Sequence, residues 1–273
     1  MLRSLYLALL LVGCGSHAPP PTRQAAAPEV APLWMQVAGD GEPTVVFEAG
    51  GGDDSSVWAS LEPEVRLRVG VRTVVYDRAG LGKSPPAPGP YQIDHEVDAL
   101  EHALARFSIK GPIVLVAHSY GGFVAELMAA RDKRVVGAVL VDANLPAFFD
   151  DAELARLQAK YLPQLPALEK ARPALAQVMG AILRAYPDTV KRVKAAPFPP
   201  AIPVVDIVAE HSWGDSDAEN AAMKQAHDAF VAAAPAAREA VFATGSGHYV
   251  MRDQPELVIH AIGRVVQRVR TGH

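Results

Sequence analysis

The sequence predicts an α/β fold: a mostly parallel central sheet flanked by helices, with an inserted helical cap. Three observations carry this. From Thr44 onward, short β-branched runs alternate with helix-like stretches, as in strand–crossover–strand units. Two of the runs end in small-residue turns, Gly50-Gly51-Gly52 and Ala117-His118-Ser119-Tyr120-Gly121-Gly122. Between about 143 and 200 the alternation stops, in a stretch rich in Ala, Leu and Pro with helical patterns and no strand.

Taken in order, strands are expected at Thr44–Glu48, Arg72–Asp77, Pro112–Val116, Val135–Val141, Ile202–Ala209 and Ala240–Ala243. Asp94–Phe107 reads as an amphipathic helix with Val97, Leu100, Leu104 and Phe107 on one face, and Gly111-Pro112 breaks the chain after it. Phe123–Ala130 reads as a helix directly after the second turn. The cap holds helical pieces near Ala152–Leu162, Pro166–Tyr186 and Asp188–Val193. Phe148, Phe149, Tyr161, Leu165, Met179 and Tyr186 there could line an apolar pocket or simply pack the cap onto the body. Ala218–Ala234 and Gln254–Arg270 read as helices, the latter with Leu257, Ile259, Ile262, Val265 and Val266 toward the core.

Ser119 carries the chemistry. It stands at a turn between an apolar strand and a helix, flanked by small residues, in a small-x-Ser-x-Gly pattern. Such a turn pushes the hydroxyl out of the sheet, and free N–H groups at the following helix start favour developing negative charge. A helix N-cap serine is the plainer alternative. The three glycines let backbone N–H groups face a ligand, so the N–H groups of Gly51 and Tyr120 form a candidate oxyanion hole. A serine hydroxyl needs a positioned base. Of nine histidines, His17 and His273 lie near the ends, and His95, His102, His227 and His260 within helical patterns. His118 flanks the serine with its side chain expected to point away, and His211 is a weak loop candidate. His248 follows a short strand in a small-residue loop and is the favoured base.

These segments, Glu48-Ala49-Gly50-Gly51-Gly52, Asp77-Arg78-Ala79-Gly80-Leu81-Gly82-Lys83-Ser84, His118-Ser119-Tyr120-Gly121-Gly122 and Gly245-Ser246-Gly247-His248-Tyr249, occur in the order found in the α/β-hydrolase family, which the chain resembles from about Val45 to Val266. The resemblance implies that His248 sits in the loop that presents the family's histidine. It also implies that the Asp77-Arg78 loop is mostly structural, so those two residues are assigned no chemistry. Ala117 stands where the family most often has Gly. The family's acid usually follows the strand after the cap in a Gly-x-x-Asp turn, and here no aspartate has that offset. Asp142, at the end of the preceding strand, is the favoured acid. Asp215 is second, several residues late, and Glu210 third.

The expected activity is cleavage of a carboxylic ester of modest size by Ser119, His248 and Asp142 through an acyl-enzyme, with no metal or organic cofactor implied. Alternatives are an amidase or peptidase, a carbon–carbon bond hydrolase, or a non-catalytic binding module on the cell envelope, whose main support is the uncertain acid. Net charge −4 and the lack of a basic cluster argue against nucleic-acid binding.

At the N-terminus Met1-Leu2-Arg3 precedes an eight-residue apolar run, Leu5–Val12. A bilayer span takes about twenty residues, so the run suits a signal-peptide core instead. Leu11-Val12-Gly13-Cys14 resembles a bacterial lipoprotein signal, in which the cysteine becomes the lipidated, palmitate-type anchor of the exported protein. Cys14 is the chain's single cysteine. The organisation expected is a signal at 1–14, a Pro/Ala-rich linker at 15–32 and an α/β domain at 33–273, held at the bacterial envelope through the lipid on Cys14. Fully extended, the linker reaches about 55 Å at ~3.1 Å per residue.

Overall fold

The computed structural model describes Val30 and residues 32–272. The lipoprotein-type signal with Cys14 and nearly all of the Pro/Ala-rich linker lie outside the described residues. Among the described residues, no helix is long and apolar enough to cross a membrane.

The described residues form one seven-stranded sheet. Its strands are β1 (Met35–Ala38), β2 (Thr44–Glu48), β3 (Arg72–Tyr76), β4 (Ile113–His118), β5 (Val135–Val141), β6 (Val204–His211) and β7 (Arg238–Gly247). Spatial order is β1-β3-β2-β4-β5-β6-β7. Only β1 runs antiparallel to its neighbour, and every other pairing is parallel. The helices are α1 (Glu62–Val65), α2 (Ile93–Arg106), α3 (Gly121–Arg131), α4 (Asp151–Tyr161), α5 (Leu165–Ala171), α6 (Pro173–Lys194), α7 (Asp217–Ala232), α8 (Val250–Asp253) and α9 (Pro255–Thr271).

Successive side chains of a strand point to opposite faces, and the core divides accordingly. Val45 and Phe47 of β2, Val114 and Val116 of β4 and Val139 and Val141 of β5 pack with α1, α8 and α9. Val46, Leu115, Ala138 and Leu140 pack with α2 and α3 on the other face. The cap joins that second core: Phe149, Leu183, Tyr186 and Val190 cluster with Phe123 and Leu127 of α3. Phe149 and Tyr186 therefore pack the cap onto the body.

Some elements depart from expectation for identifiable reasons. β1 is short and mixed, and it gains order only by pairing with β3 from Met35 opposite Tyr76. Phe107 is the C-cap of α2 and is exposed, because the helix ends one residue before its apolar face would have buried it. Pro187 does not break the cap helix. α6 runs through it as one helix, and the break falls instead at Arg172, where the following Pro173 holds the chain out of helical geometry. Pro187 has no N–H for the carbonyl of Leu183 one turn back. Gln158 of α4 supplies the missing donor, its Nε2 standing 2.9 Å from the Leu183 oxygen.

Gln158→Ala is therefore expected to lower unfolding free energy by about 1 kcal/mol in a denaturant titration. In a Pro187→Ala background the helix provides its own N–H, and the same change is expected to cost nothing. Equal costs in both backgrounds would contradict this account.

Candidate active site

Ser119 leaves the C-terminal end of β4 with φ +53°, in the left-handed region where a side chain is strained. The strain is held by hydrogen bonds on both sides. The Ser119 carbonyl accepts from Gly122 N at 2.9 Å and from Asn144 N at 2.8 Å. Positions 121 and 122 fit only glycine: a Cβ on Gly121 would lie 2.7 Å from the Ala49 oxygen, and one on Gly122 2.8 Å from the Asn144 oxygen. The N-cap of α3 is Tyr120, with no side-chain cap, so Ser119 does not serve as a capping serine.

Asp142 leaves the neighbouring strand β5 in the same conformation, with φ +43°. Its carboxylate is buried and fully engaged. Oδ1 accepts from Ala209 N at 3.1 Å, and Oδ2 accepts from the Ser212 hydroxyl at 2.6 Å. His248 Nδ1 stands 2.6 Å from the same Oδ2. Burial pushes the Asp142 carboxyl up, and the bonds from His248 and Ser212 more than offset it, leaving it below the usual carboxylate range. With its Nδ1–H directed at this carboxylate, His248 keeps its lone pair on Nε2.

His118 does not point away from the site. It is fully buried, its ring centroid 4.5 Å from that of His248, with Nε2 donating to the His248 carbonyl at 3.1 Å. Burial, reinforced by the neighbouring His248, lowers its pKa to about 3, so it stays neutral beside the candidate base. The local strand-to-turn pattern does not announce this packing, because the loop that meets His118 lies 130 positions further along the chain.

The other carboxylates lie elsewhere. Asp215 pairs with Lys160 and with Arg156 Nη1 at 3.1 Å on the surface of the cap, not with His248. It therefore does not orient the histidine, and the alternative acid is set aside. Glu210 Oε2 accepts from Gly245 N at the end of β7.

Gly51 lies beside Tyr120, where a Cβ on the glycine would stand 3.5 Å from the tyrosine Cβ. Among the described residues, neither the Gly51 nor the Tyr120 N–H has a backbone acceptor. Above this loop, Met179 and Leu175 of α6 come within 3.2 and 3.5 Å of where a Gly52 Cβ would be, so the cap covers the glycine turn. Arg78 reaches the loop from below. It donates to Glu48 Oε1, to the carbonyls of Ala49 and Gly50, and to that of Gly51 at 3.0 Å. Asp77 ties the adjoining turns, accepting from Ser55 N and Lys83 N, each at 2.8 Å.

Two further residues escaped the sequence reading. Asn144 links the Ser119 turn to the cap, donating through Nδ2 to Tyr186 Oη at 2.6 Å and accepting from Trp213 Nε1 at 3.2 Å. His227 of α7 pairs with Asp206 of β6, Nδ1 to Oδ2 at 2.8 Å, both buried. An aspartate inside the apolar run Val204–Val208 was the available signal, since a buried charge needs a partner. Burial pushes the His227 imidazolium down, but the Asp206 carboxylate raises it further, so the net shift from 6.5 is upward. The stabilisation from protonated His227 is thus fully present below 6.5 and is lost as pH rises through the higher folded value. Chemical denaturation of wild type and Asp206→Asn is expected to show a stability gap that narrows with rising pH across that window. A gap that widens would contradict the assignment.

A sequence model described as the alpha/beta hydrolase family matches residues 45–261. The "Uncharacterized protein YqjL" of Bacillus subtilis is 39% identical over 103 residues, 37% of this chain and 40% of that one. The matched region thus spans less than half the length of that curated relative. Among solved structures, a carboxylesterase of Nitrososphaera gargenis aligns with TM-score 0.66 and 17% identity over 88% of this chain and 96% of its own. The enol-lactonase of Burkholderia xenovorans LB400 aligns with TM-score 0.57 and 19% identity over 89% and 99%. The model match runs from β2 into α9 and so takes in the glycine turn, the Ser119 elbow and the His248 loop together; the chain belongs to the alpha/beta hydrolase family.

Proposed function

We propose that this protein is a serine hydrolase acting on a carboxylic ester of modest size. The observation that carries the reading is the 2.6 Å contact of His248 Nδ1 with the buried Asp142 carboxylate, beside a serine held at positive φ. Ser119 Oγ attacks the acyl carbonyl while His248 Nε2 takes its proton. Asp142 holds the tautomer and stabilises the imidazolium that forms. The N–H groups of Gly51 and Tyr120 receive the oxyanion, a contribution of about 3–4 kcal/mol per donor in comparable sites. His248 then returns the proton to the leaving alcohol, and water repeats the sequence to release the acid. Fold neighbours named as a carboxylesterase and an enol-lactonase lend the ester class support. The cap residues Leu175 and Met179 over Gly52 give the acyl or alcohol part an apolar wall.

The reading extends to location. A lipid on Cys14 would tether the domain to a bacterial membrane, with the Pro/Ala-rich stretch as spacer. Its support is the lipoprotein-like run Leu11-Val12-Gly13-Cys14.

Hydrolysis of p-nitrophenyl esters from acetate to palmitate is expected to depend wholly on Ser119, with Ser119→Ala inactive across the series. Activity surviving in that variant would remove Ser119 as the nucleophile. Asp142→Asn is expected to lower kcat by up to ~10⁴-fold, as loss of a triad acid does elsewhere, while Asp215→Asn leaves it near wild type. The opposite pattern would return the role to Asp215. Cys14→Ser is expected to abolish labelling by a fatty-acid precursor in cells. Undiminished labelling would rule out this cysteine as the anchor.

A further inference from the structure

The four acceptors gripped by Arg78 define a direction. In a trans peptide the carbonyl and the N–H of the next residue point opposite ways. Arg78 Nη1 holds the Ala49 oxygen at 2.6 Å, and Nη2 holds the Gly50 oxygen and the Gly51 oxygen. All three carbonyls therefore face the guanidinium, and the N–H groups of Gly50, Gly51 and Gly52 are turned away from it. The loop also lies against the Ser119 turn, since a Gly51 Cβ would stand 3.5 Å from Tyr120 Cβ. Consecutive N–H groups turned to one side form an anion-binding concavity.

We infer that Arg78 is a positioning residue for the oxyanion hole: it fixes the Gly50–Gly51 peptide so that the Gly51 N–H faces the carbon under attack. The inference rests on the reading of Ser119 as the nucleophile. The arrangement around Arg78 supports it. Arg78 is 3% exposed, so it is unavailable to substrate. Glu48, at the end of β2, anchors it by a hydrogen bond, and Tyr120 lies beneath it at 5.7 Å from the ring centroid. The three glycines leave the loop backbone free to turn, and beyond the one turn bond from Asp53 N to the Gly50 carbonyl at 3.2 Å it is the arginine clamp that holds its orientation. Arginine suits the task because its planar fork places several donors at fixed angles, which a lysine ammonium cannot do.

Arg78→Lys keeps the buried positive charge for Glu48 and loses the fork. It is expected to lower kcat by about 10- to 100-fold, less than full loss of an oxyanion donor, with KM for the same ester nearly unchanged. Affinity for a trifluoromethyl ketone, which becomes an oxyanion on attack by Ser119, is expected to fall in parallel. A merely structural role would move the melting temperature and KM instead. Should the lysine variant not fold, Arg78→Gln combined with Glu48→Gln and Glu96→Gln removes the buried cation together with both buried carboxyls that face it, and carries the same expectation. A folded variant with wild-type kcat and ketone affinity would overturn the inference. Absence of Ser119-dependent ketone inhibition in the wild type would overturn the nucleophile reading, and this inference with it.

Discussion

The parallel register between β4 and β5 is the constraint on which the candidate site depends. His118 pairs with Val141, so the next residue of each strand, Ser119 and Asp142, leaves the sheet at the same level. Both then turn through positive φ, which costs about 1–3 kcal/mol for a residue with a side chain. The sheet and its flanking bonds hold both turns in place. Asn144 N grips the Ser119 carbonyl, and Asp142 N donates to Ile207 O at 2.7 Å. A one-residue slip would move every inward side chain of the strand to the opposite face, so the apolar cores on both sides lock the register that brings the two turns together. β7 completes the arrangement by pairing with β6 out to Gly247, which delivers His248 to the same edge.

Around that edge the protein arranges buried polar groups so that each holds another. Asp142 has three donors, and His118 stays neutral and supports the loop of His248 from below. Arg78 stands between Glu48 and the glycine turn. Burial lifts the Glu48 carboxyl to about 7 although Arg78 pulls it down. Glu48 Oε1 and the three loop carbonyls hold the guanidinium in place, although Arg78 Nε and Glu48 Oε2 have no hydrogen-bond partner among the described residues. The cap closes the upper side through Tyr186 and Asn144, and Trp213 from the loop after β6 donates to Asn144. The candidate site residues are thus held by a surrounding shell of mostly buried groups.

The fold class was legible because strands buried on both faces read as continuous apolar runs; Val135–Val141 appears in the structure with the boundaries its sequence suggests. Ser119, Asp142 and His248, the candidates the sequence suggests, each lie just past a strand end in a turn of small residues. What was hidden depends on contacts between distant segments. Nothing near Arg78 announces that its fork reaches Ala49, Gly50 and Gly51 nearly thirty positions back. Pro187 reads locally as a helix breaker, and only Gln158 on another helix reverses that. Asp206 and His227 lie on different elements and become a pair only when α7 folds over β6. Phe107 follows the helical period, but the helix stops before it.

The most direct measurement is a crystal structure of the protein inactivated by a phosphonate ester. The account expects phosphorus bonded to Ser119 Oγ, the phosphoryl oxygen within hydrogen-bond distance of the Gly51 and Tyr120 N–H groups, and His248 Nε2 facing the remaining ester oxygen with Nδ1 still on Asp142. A phosphonyl group on another residue, or a phosphoryl oxygen directed away from both N–H groups, would contradict it.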